Sequence, residues 1–445
     1  MSPVTDPGVL DGYLSDASNL RGHAEALYRP RTTAEVAEIV DDCQRRSIPL
    51  TVTARRTSTT GAPVPFGGVL LSTELLDTVH ADDDVDGGVI LGAYQAVVEG
   101  RGRFFPPDPT SRDECTLGGA IACNASGART WKYGPTRPWI EAVEVVLPDG
   151  RVVWADRQTP LPWPVPSWTE PSVKTAAGYF PATNLLDLLI GSEGTLGVVT
   201  RARTRLLPLP AAVFVFLAFF PSRATMLDFV DRARKADARC IEYYDRSSLE
   251  LIRGRLPDVP AADSALYLEV EHGGEPPYEA WFDLLTETGA LVEDTLVAAD
   301  DAGRARLLAV RHALPATVNE IVVHNRVQKV GTDFAVPDAA LAHMLDVYDR
   351  AGMPTVCFGH IANNHLHLNF LPRDAAELVQ ARGRYLEMAR EAVALGGTVS
   401  AEHGIGRLKK AHLGLMVPPE VMEGWRRMRD AADPNRIFGR GVMVD

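Results

Sequence analysis

Apolar positions along the chain change period several times, and each change marks an element. In Thr32–Arg46 the residues Val36, Ile39, Val40 and Cys43 recur at spacings of three and four. That spacing predicts a helix opened by Thr32 or Thr33. Pro49–Thr53, Gly68–Ser72 and Val143–Leu147 are short apolar runs that predict strands, the last closed by a Pro148-Asp149-Gly150 turn. The Pro- and Trp-rich stretch Gln158–Pro171 reads as an ordered surface loop. Beyond Pro208 and Pro210 the texture shifts. Strands Val213–Phe219, Cys240–Tyr244, Ala265–Glu271 and Leu291–Val297 alternate there with helices Arg223–Lys235, Ser247–Arg253, Tyr278–Gly289 and Ala302–Val318. This mix predicts a second domain, with helices packed on one face of a sheet. Strands Val356–Ile361 and His365–Phe370 follow, then helix Ala375–Leu395, stopped by Gly396-Gly397, and a short strand Thr398–Ser400. The domain reading is therefore 1–208, 209–400, and a segment 401–445 that returns to the first domain.

Composition narrows the class. The chain has 445 residues, enough for two or three domains and a core that needs no disulfides. A net charge of -13 argues against a nucleic-acid partner, which usually requires a basic face. A local cationic pocket for an anionic substrate remains compatible with it. The five cysteines, Cys43, Cys115, Cys123, Cys240 and Cys357, are scattered and form no CxxC pair. They predict free thiols in a cytoplasmic protein and give no support to a zinc–thiolate site. No signal peptide and no transmembrane segment are expected, while peripheral attachment to a membrane stays open.

Three clusters of small residues stand out. The first runs through Pro106-Pro107-Asp108-Pro109 to Gly118-Gly119-Ala120-Ile121-Ala122-Cys123-Asn124-Ala125-Ser126-Gly127. The second is Ile190–Gly197, leading into Val198-Val199-Thr200, and the third is Arg55–Gly61. Such density lets a flat or phosphorylated ligand approach the backbone, and successive N–H groups can cradle a pyrophosphate. Each cluster alone would read as tight turns; three in one half-chain point to a nucleotide cofactor. No GxGxxG follows a strand and no GxxxxGK[ST] occurs, which disfavours a Rossmann NAD site and a Walker loop.

The string Pro106–Pro109, the GGAIACNASG segment, Lys174 with Gly178-Tyr179, and IGSEGTLGVVT resemble the FAD-binding half of the vanillyl-alcohol-oxidase-type flavoproteins. The resemblance runs from about Pro30 to the C-terminus. It implies an α+β fold: a PCMH-type FAD-binding domain of two α+β subdomains, with an α+β cap domain over the flavin. No histidine is placed for covalent attachment, so non-covalent FAD is expected. The residues expected to contact FAD are Thr57, Ser58, Gly61, Pro107, Asp108, Gly118, Gly119, Ala122, Asn124, Gly127, Gly194, Gly197 and Val198. One departure is plain. Of the family's first phosphate loop, which resembles GxGTxxxG, only Thr57 and Gly61 match, and Arg55 and Arg56 stand at or beside glycine positions. A side chain there can crowd a pyrophosphate; alternatively, an arginine can pair with it.

The densest polar chemistry comes late. His365, His367 and Asn369 alternate with Leu366, Leu368 and Phe370 and share one strand face. Ala362-Asn363-Asn364 can turn the chain so that a hairpin brings His360 toward His367. Glu402 and His403 follow the next helix. Two imidazoles and a carboxylate suit a divalent metal with open positions, and a further neutral His can accept a proton. GHIANNHLHLN and GGTVSAEHGIG resemble the C-terminal signatures of the FAD-linked D-2-hydroxy acid dehydrogenases, a group of D-lactate, D-2-hydroxyglutarate and glycolate enzymes. By position that resemblance implies His360, His367 and Glu402 as ligands of zinc, manganese or iron, and His403 as the base. Where the family commonly has GDGN, this chain has Ala362-Asn363-Asn364-His365.

A substrate carboxylate needs a cation. Arg311, in VRHALPATVNE, resembles the family's carboxylate-binding arginine, and Lys329, before GTDFAVP, a nearby lysine. The expected function is oxidation of a small, D-lactate-like 2-hydroxy acid to the 2-oxo acid, with hydride transfer to flavin and metal assistance; the electron acceptor is left open. The competing readings are a flavin-dependent alcohol oxidase or a non-redox flavin transferase on the same fold, and a scaffold that no longer catalyses.

Overall fold

The computed structural model describes residues 1–81, 83–254, 259–298 and 300–445; the side chains of Asp301 and His312 lie outside the description. The first predicted helix spans Thr33–Arg46. Thr32 caps it by accepting the Glu35 N–H, and Ser47 ends it in a left-handed conformation. Its apolar stripe of Val36, Ile39, Val40 and Cys43 packs on Leu50, Val69 and Leu71. Those residues belong to a small parallel sheet of Ala26–Tyr28, Val69–Ser72 and Leu50–Thr53, in that order. A separate antiparallel sheet of five strands follows, with Ile140–Val146 and Val198–Thr204 at its centre.

Between Asp156 and Leu185 there is neither helix nor strand, as the Pro/Trp-rich stretch suggests. Trp168 anchors this loop: its Nε1 donates to Tyr179 O at 3.0 Å, and its ring meets Trp425 edge-on. Trp425 lies in the helix Pro419–Ala432. That helix, with Val442, Met443 and Val444, belongs to the same core as Ile140, Val143 and Leu186. Nearby, Leu50 N–H donates to Ile437 O, so the last residues stitch onto the first parallel sheet.

The second large sheet has eight strands. Leu296–Ala298, Ala212–Phe220, Ser264–His272, Ala238–Asp245, Thr355–His360 and His365–Phe370 lie side by side, and Val330–Gly331 and Phe334–Ala335 both pair with the last. Helices cover both of its faces, not one as expected. Phe214, Phe216, Ala218 and Phe220 pack against helices Arg223–Ala233, Tyr278–Glu287, Leu341–Asp349 and Ala375–Ala394. Val215, Leu217 and Phe219 point the other way, onto helices Arg246–Arg253 and Asp301–Asn325. The run AVFVFLAFF lacks a polar face because both faces are covered.

Three further expectations need correction. Leu291–Val297 is not a strand throughout: Val292–Asp294 forms a 3-10 turn held by Thr295 N–H on Val292 O, and the strand begins at Leu296. The helix predicted to end at Val318 continues to Asn325, passing through Pro315. Proline removes one helical hydrogen bond there without ending the element. Thr398–Ser400 makes only a single bridge, from Thr398 to Ala335.

Candidate active site

The small-residue clusters converge. A cleft of about 680 Å³ runs between the loop Ala54–Thr59, the segment Gly118–Ser126 and the turn Ser192–Gly197. Thr57, Ser58, Gly118, Gly119, Ala122, Gly194 and Gly197 line it, with Glu402 and His403 at its wall. Small side chains on three sides suit a flat, phosphorylated cofactor such as FAD, whose approach larger residues would block. Arg56 also lines the cleft, but it adopts φ +58° and stacks over Tyr13 at 4.4 Å.

The remaining expected contacts sit elsewhere. Asp108 lines a second, adjoining cavity. Gly61 donates its N–H to Asp16. Pro107 O accepts from Gln95, and Asn124 Oδ1 accepts from Arg137 N–H. Gly127 is forced by packing, since a Cβ there would lie 1.8 Å from Asp108 O. Val198 is buried in the core beside Val146.

The two late motifs meet in space. The strands Thr355–His360 and His365–Phe370 pair antiparallel, and Glu402 approaches both. His367 Nε2 lies 3.1 Å from Glu402 Oε1, and His360 Nε2 lies 3.3 Å from Glu402 Oε2. Each imidazole is held through its other nitrogen: His360 Nδ1 by Glu242 at 2.7 Å, His367 Nδ1 by Thr332 O at 3.0 Å. This pattern gathers both Nε2 atoms around Glu402, and the donor set fits a divalent metal. The ligand atoms of His360, His365, His367 and Glu402 all lie within 4.8 Å of one another. His365 plays a supporting part, with Nε2 2.9 Å from Asp333 and Nδ1 3.2 Å from Lys174 Nζ. Lys174 also bonds Glu402 Oε2 at 2.6 Å.

The electrostatics follow. Burial opposes ionisation of Glu402, yet Lys174 and His360 hold its carboxyl well below the usual range. Burial would likewise favour neutral His360, but Glu242 lifts it to about 9. That basicity favours a strong ligand once a metal displaces the proton. Burial keeps His365 and His367 low, hence neutral.

His403 adjoins this group, its Nε2 3.6 Å from Glu402 Oε1, and Asp333, His367, Glu402 and His403 form a second set whose ligand atoms lie within 4.8 Å of one another. His403 lines the 680 Å³ cleft, is about one-third exposed, and places Nδ1 3.3 Å from Asp333 Oδ2. Asp333 is fully buried and also receives Ser400 Oγ at 2.7 Å and Lys409 Nζ at 2.6 Å. It therefore fixes the face that His403 turns to the cleft. Glu193, from the second glycine cluster, accepts Ile405 N–H and Gly406 N–H at 2.7 Å each. Burial raises its carboxyl to about 7 against those bonds. The cofactor loop and the His403 loop are thus tied together.

Arg311 lies in the second cavity, about 260 Å³ in volume, which His360 and His367 also line. Pro315, one turn further along the same helix, lines both spaces. Lys329 faces the larger cleft, not the cavity that holds Arg311.

Sequence reasoning missed Glu242, Asp333 and Lys174 as supports. A lone acid inside the apolar strand Cys240-Ile241-Glu242-Tyr243-Tyr244 is a readable signal. The other two stand inside recognised motifs without an assigned role.

Family models match this arrangement. Residues 209–443 match the C-terminal domain of FAD-linked oxidases, and residues 24–156 match an FAD-binding domain. The chain belongs to the FAD-linked oxidase family and is an FAD-dependent oxidoreductase. It is 31% identical to a mitochondrial D-2-hydroxyglutarate dehydrogenase of Bos taurus, over 99% of this chain and 81% of that protein. It is 28% identical to the glycolate oxidase subunit GlcD of Bacillus subtilis (strain 168), over 94% and 88%. A D-lactate dehydrogenase of Archaeoglobus fulgidus is 29% identical over 94% and 91%. Among solved structures, alkyldihydroxyacetonephosphate synthase superposes with a TM-score of 0.68 at 17% identity, covering 94% of this chain and 77% of that one, which shows the shared fold.

Proposed function

We propose that this chain oxidises a small 2-hydroxy acid to the 2-oxo acid, with non-covalently held FAD and a divalent metal on His360, His367 and Glu402. The observation that carries the reading is the placement of His403 on the flavin cleft, next to Glu402, with Arg311 in the adjoining cavity. The names of the relatives, which concern glycolate, lactate and 2-hydroxyglutarate, support the substrate class.

When bound, FAD would accept the Cα hydrogen with its bonding electron pair, and the metal would lower the pKa of the substrate hydroxyl. Arg311 pairs with the carboxylate and sets the Cα toward the cleft. His403 takes the hydroxyl proton at Nε2, while Asp333 holds Nδ1. Lys174 and Glu242 keep the carboxylate and imidazole donors oriented. The five unpaired cysteines support a reducing compartment such as the cytoplasm. Among the described residues, no helix is long and apolar enough to cross a membrane.

The test is product analysis. The FAD-loaded protein, given an artificial electron acceptor and a D-2-hydroxy acid, forms one 2-oxo acid per two electrons passed on. Removal of metal by a chelator stops turnover while the flavin spectrum persists, and zinc, manganese or iron restores it. Full activity in protein shown to be metal-free contradicts the ligand assignment.

A further inference from the structure

If Arg311 takes the carboxylate, the rest of the 260 Å³ cavity must receive whatever else the substrate carries. Its buried charges are three guanidiniums, Arg129, Arg239 and Arg311, set among three carboxylates, Asp108, Glu242 and Glu269. The signs are interleaved. Arg129 lies between Asp108 at 3.5 Å and Glu269 at 3.7 Å. Arg311 lies between Asp108 at 3.9 Å and Glu242 at 3.8 Å. Only Arg239 and Glu269 close to 2.8 Å among these pairs. The others are longer, and buried Arg129 Nε, Arg239 Nε and Glu269 Oε2 have no hydrogen-bond partner of good geometry among the described residues.

Buried donors and acceptors left at such separations cost free energy unless a ligand bridges them. A methyl group, as in lactate, would leave them unbridged. A second carboxylate would meet three buried carboxylates. Because the signs are interleaved, a second carboxylate that reached Arg129 or Arg311 would lie against Asp108, Glu242 or Glu269 as well. A chain of hydroxyl-bearing carbons both donates and accepts at each step, and can bridge Asp108 to Arg129 and Arg129 to Glu269. The rings of Tyr244, Tyr267 and Phe358, in the same wall, give its C–H faces a surface to pack on.

We propose that this cavity is a subsite for a hydroxylated side chain, and that the substrate is a polyhydroxylated monocarboxylic 2-hydroxy acid, an aldonic-acid type of molecule. The proposal rests on the reading of the site as a 2-hydroxy acid oxidase.

The test uses the full-length, FAD-loaded protein without oxygen and compares the second-order rates of flavin bleaching by lactate, 2-hydroxyglutarate, glycerate and gluconate, each in both stereochemical series at C2 where obtainable. The expected result is at least a tenfold preference for a hydroxylated monocarboxylate over lactate and 2-hydroxyglutarate. Asp108→Asn lowers that preference about tenfold, by weakening one charge-assisted hydrogen bond. Tyr267→Phe, which keeps the ring and removes the hydroxyl that bonds Glu269, lowers it in the same direction and serves if Asp108→Asn does not fold. Fastest bleaching by lactate or 2-hydroxyglutarate overturns the subsite and leaves the general reading intact. Bleaching by none of the 2-hydroxy acids overturns both. An unchanged preference in both variants removes this wall from substrate recognition.

Discussion

His403 and Glu269 show how differently two ionisable residues can serve one site. Under the proposed function His403 moves a proton, so its loss should appear in rate more than in binding. In His403→Ala protein with unchanged flavin absorbance, bleaching by a good substrate should slow by about 10²- to 10⁴-fold. An undiminished rate removes it as the base. Glu269 acts through charge. Burial opposes its ionisation, but Arg239 and Arg129 pull its carboxyl down to about 2 from an ordinary 4.5. Because the folded value is the lower one, the carboxylate contributes full stability above pH 4.5. That contribution falls away as the pH drops toward 2, by about 3 kcal/mol in all. Urea midpoints measured across this range should therefore fall less steeply in Glu269→Gln than in the parent. Equal slopes would show that Glu269 does not drive the acid limb.

At the scale of elements, the antiparallel sheet places the chemistry. Phe216 sits in its second strand, fully buried against Trp281, with ring centroids 5.3 Å apart. Phe216→Ala should cost about 3–5 kcal/mol in chemical denaturation, since the strand cannot collapse onto the gap. A loss below about 1 kcal/mol would mean that this face is loosely packed. The pattern of elements was readable because apolar spacing reports burial: helix Thr33–Arg46 and hairpin Thr355–Phe370 stand close to where periodicity puts them. The cover on both faces was also present in AVFVFLAFF, as the missing polar alternation. The turn at Val292–Asp294 was not, because Leu291, Val292, Leu296 and Val297 are apolar whether or not a 3-10 turn interrupts them. Site residues split the same way. His360, His367, Glu402 and His403 announce themselves by residue type. Glu242 stands out as a lone acid in an apolar strand, but its partner does not, since its pairing with His360 spans 118 residues and exists only once two strands lie side by side.

The whole molecule joins an FAD-binding half to a sheet that carries the histidines, and the site exists only where they meet. Glu193 ties the cofactor turn to the loop after His403, and Lys174 reaches from the first half to Glu402. The first half therefore supports a carboxylate that faces the histidines of the second. Lys174→Met should lower bound metal per chain in elemental analysis while FAD content changes little, because its ammonium positions Glu402. Unchanged metal content would show that Glu402 needs no such support. The central claim, that flavin in this cleft oxidises a 2-hydroxy acid, is tested most directly by mixing the purified yellow protein with D- and L-2-hydroxy acids in the absence of oxygen. The account predicts that one stereochemical series bleaches the flavin absorbance stoichiometrically and yields the 2-oxo acid. A flavin that stays oxidised with every 2-hydroxy acid, while protein and cofactor remain intact, contradicts it.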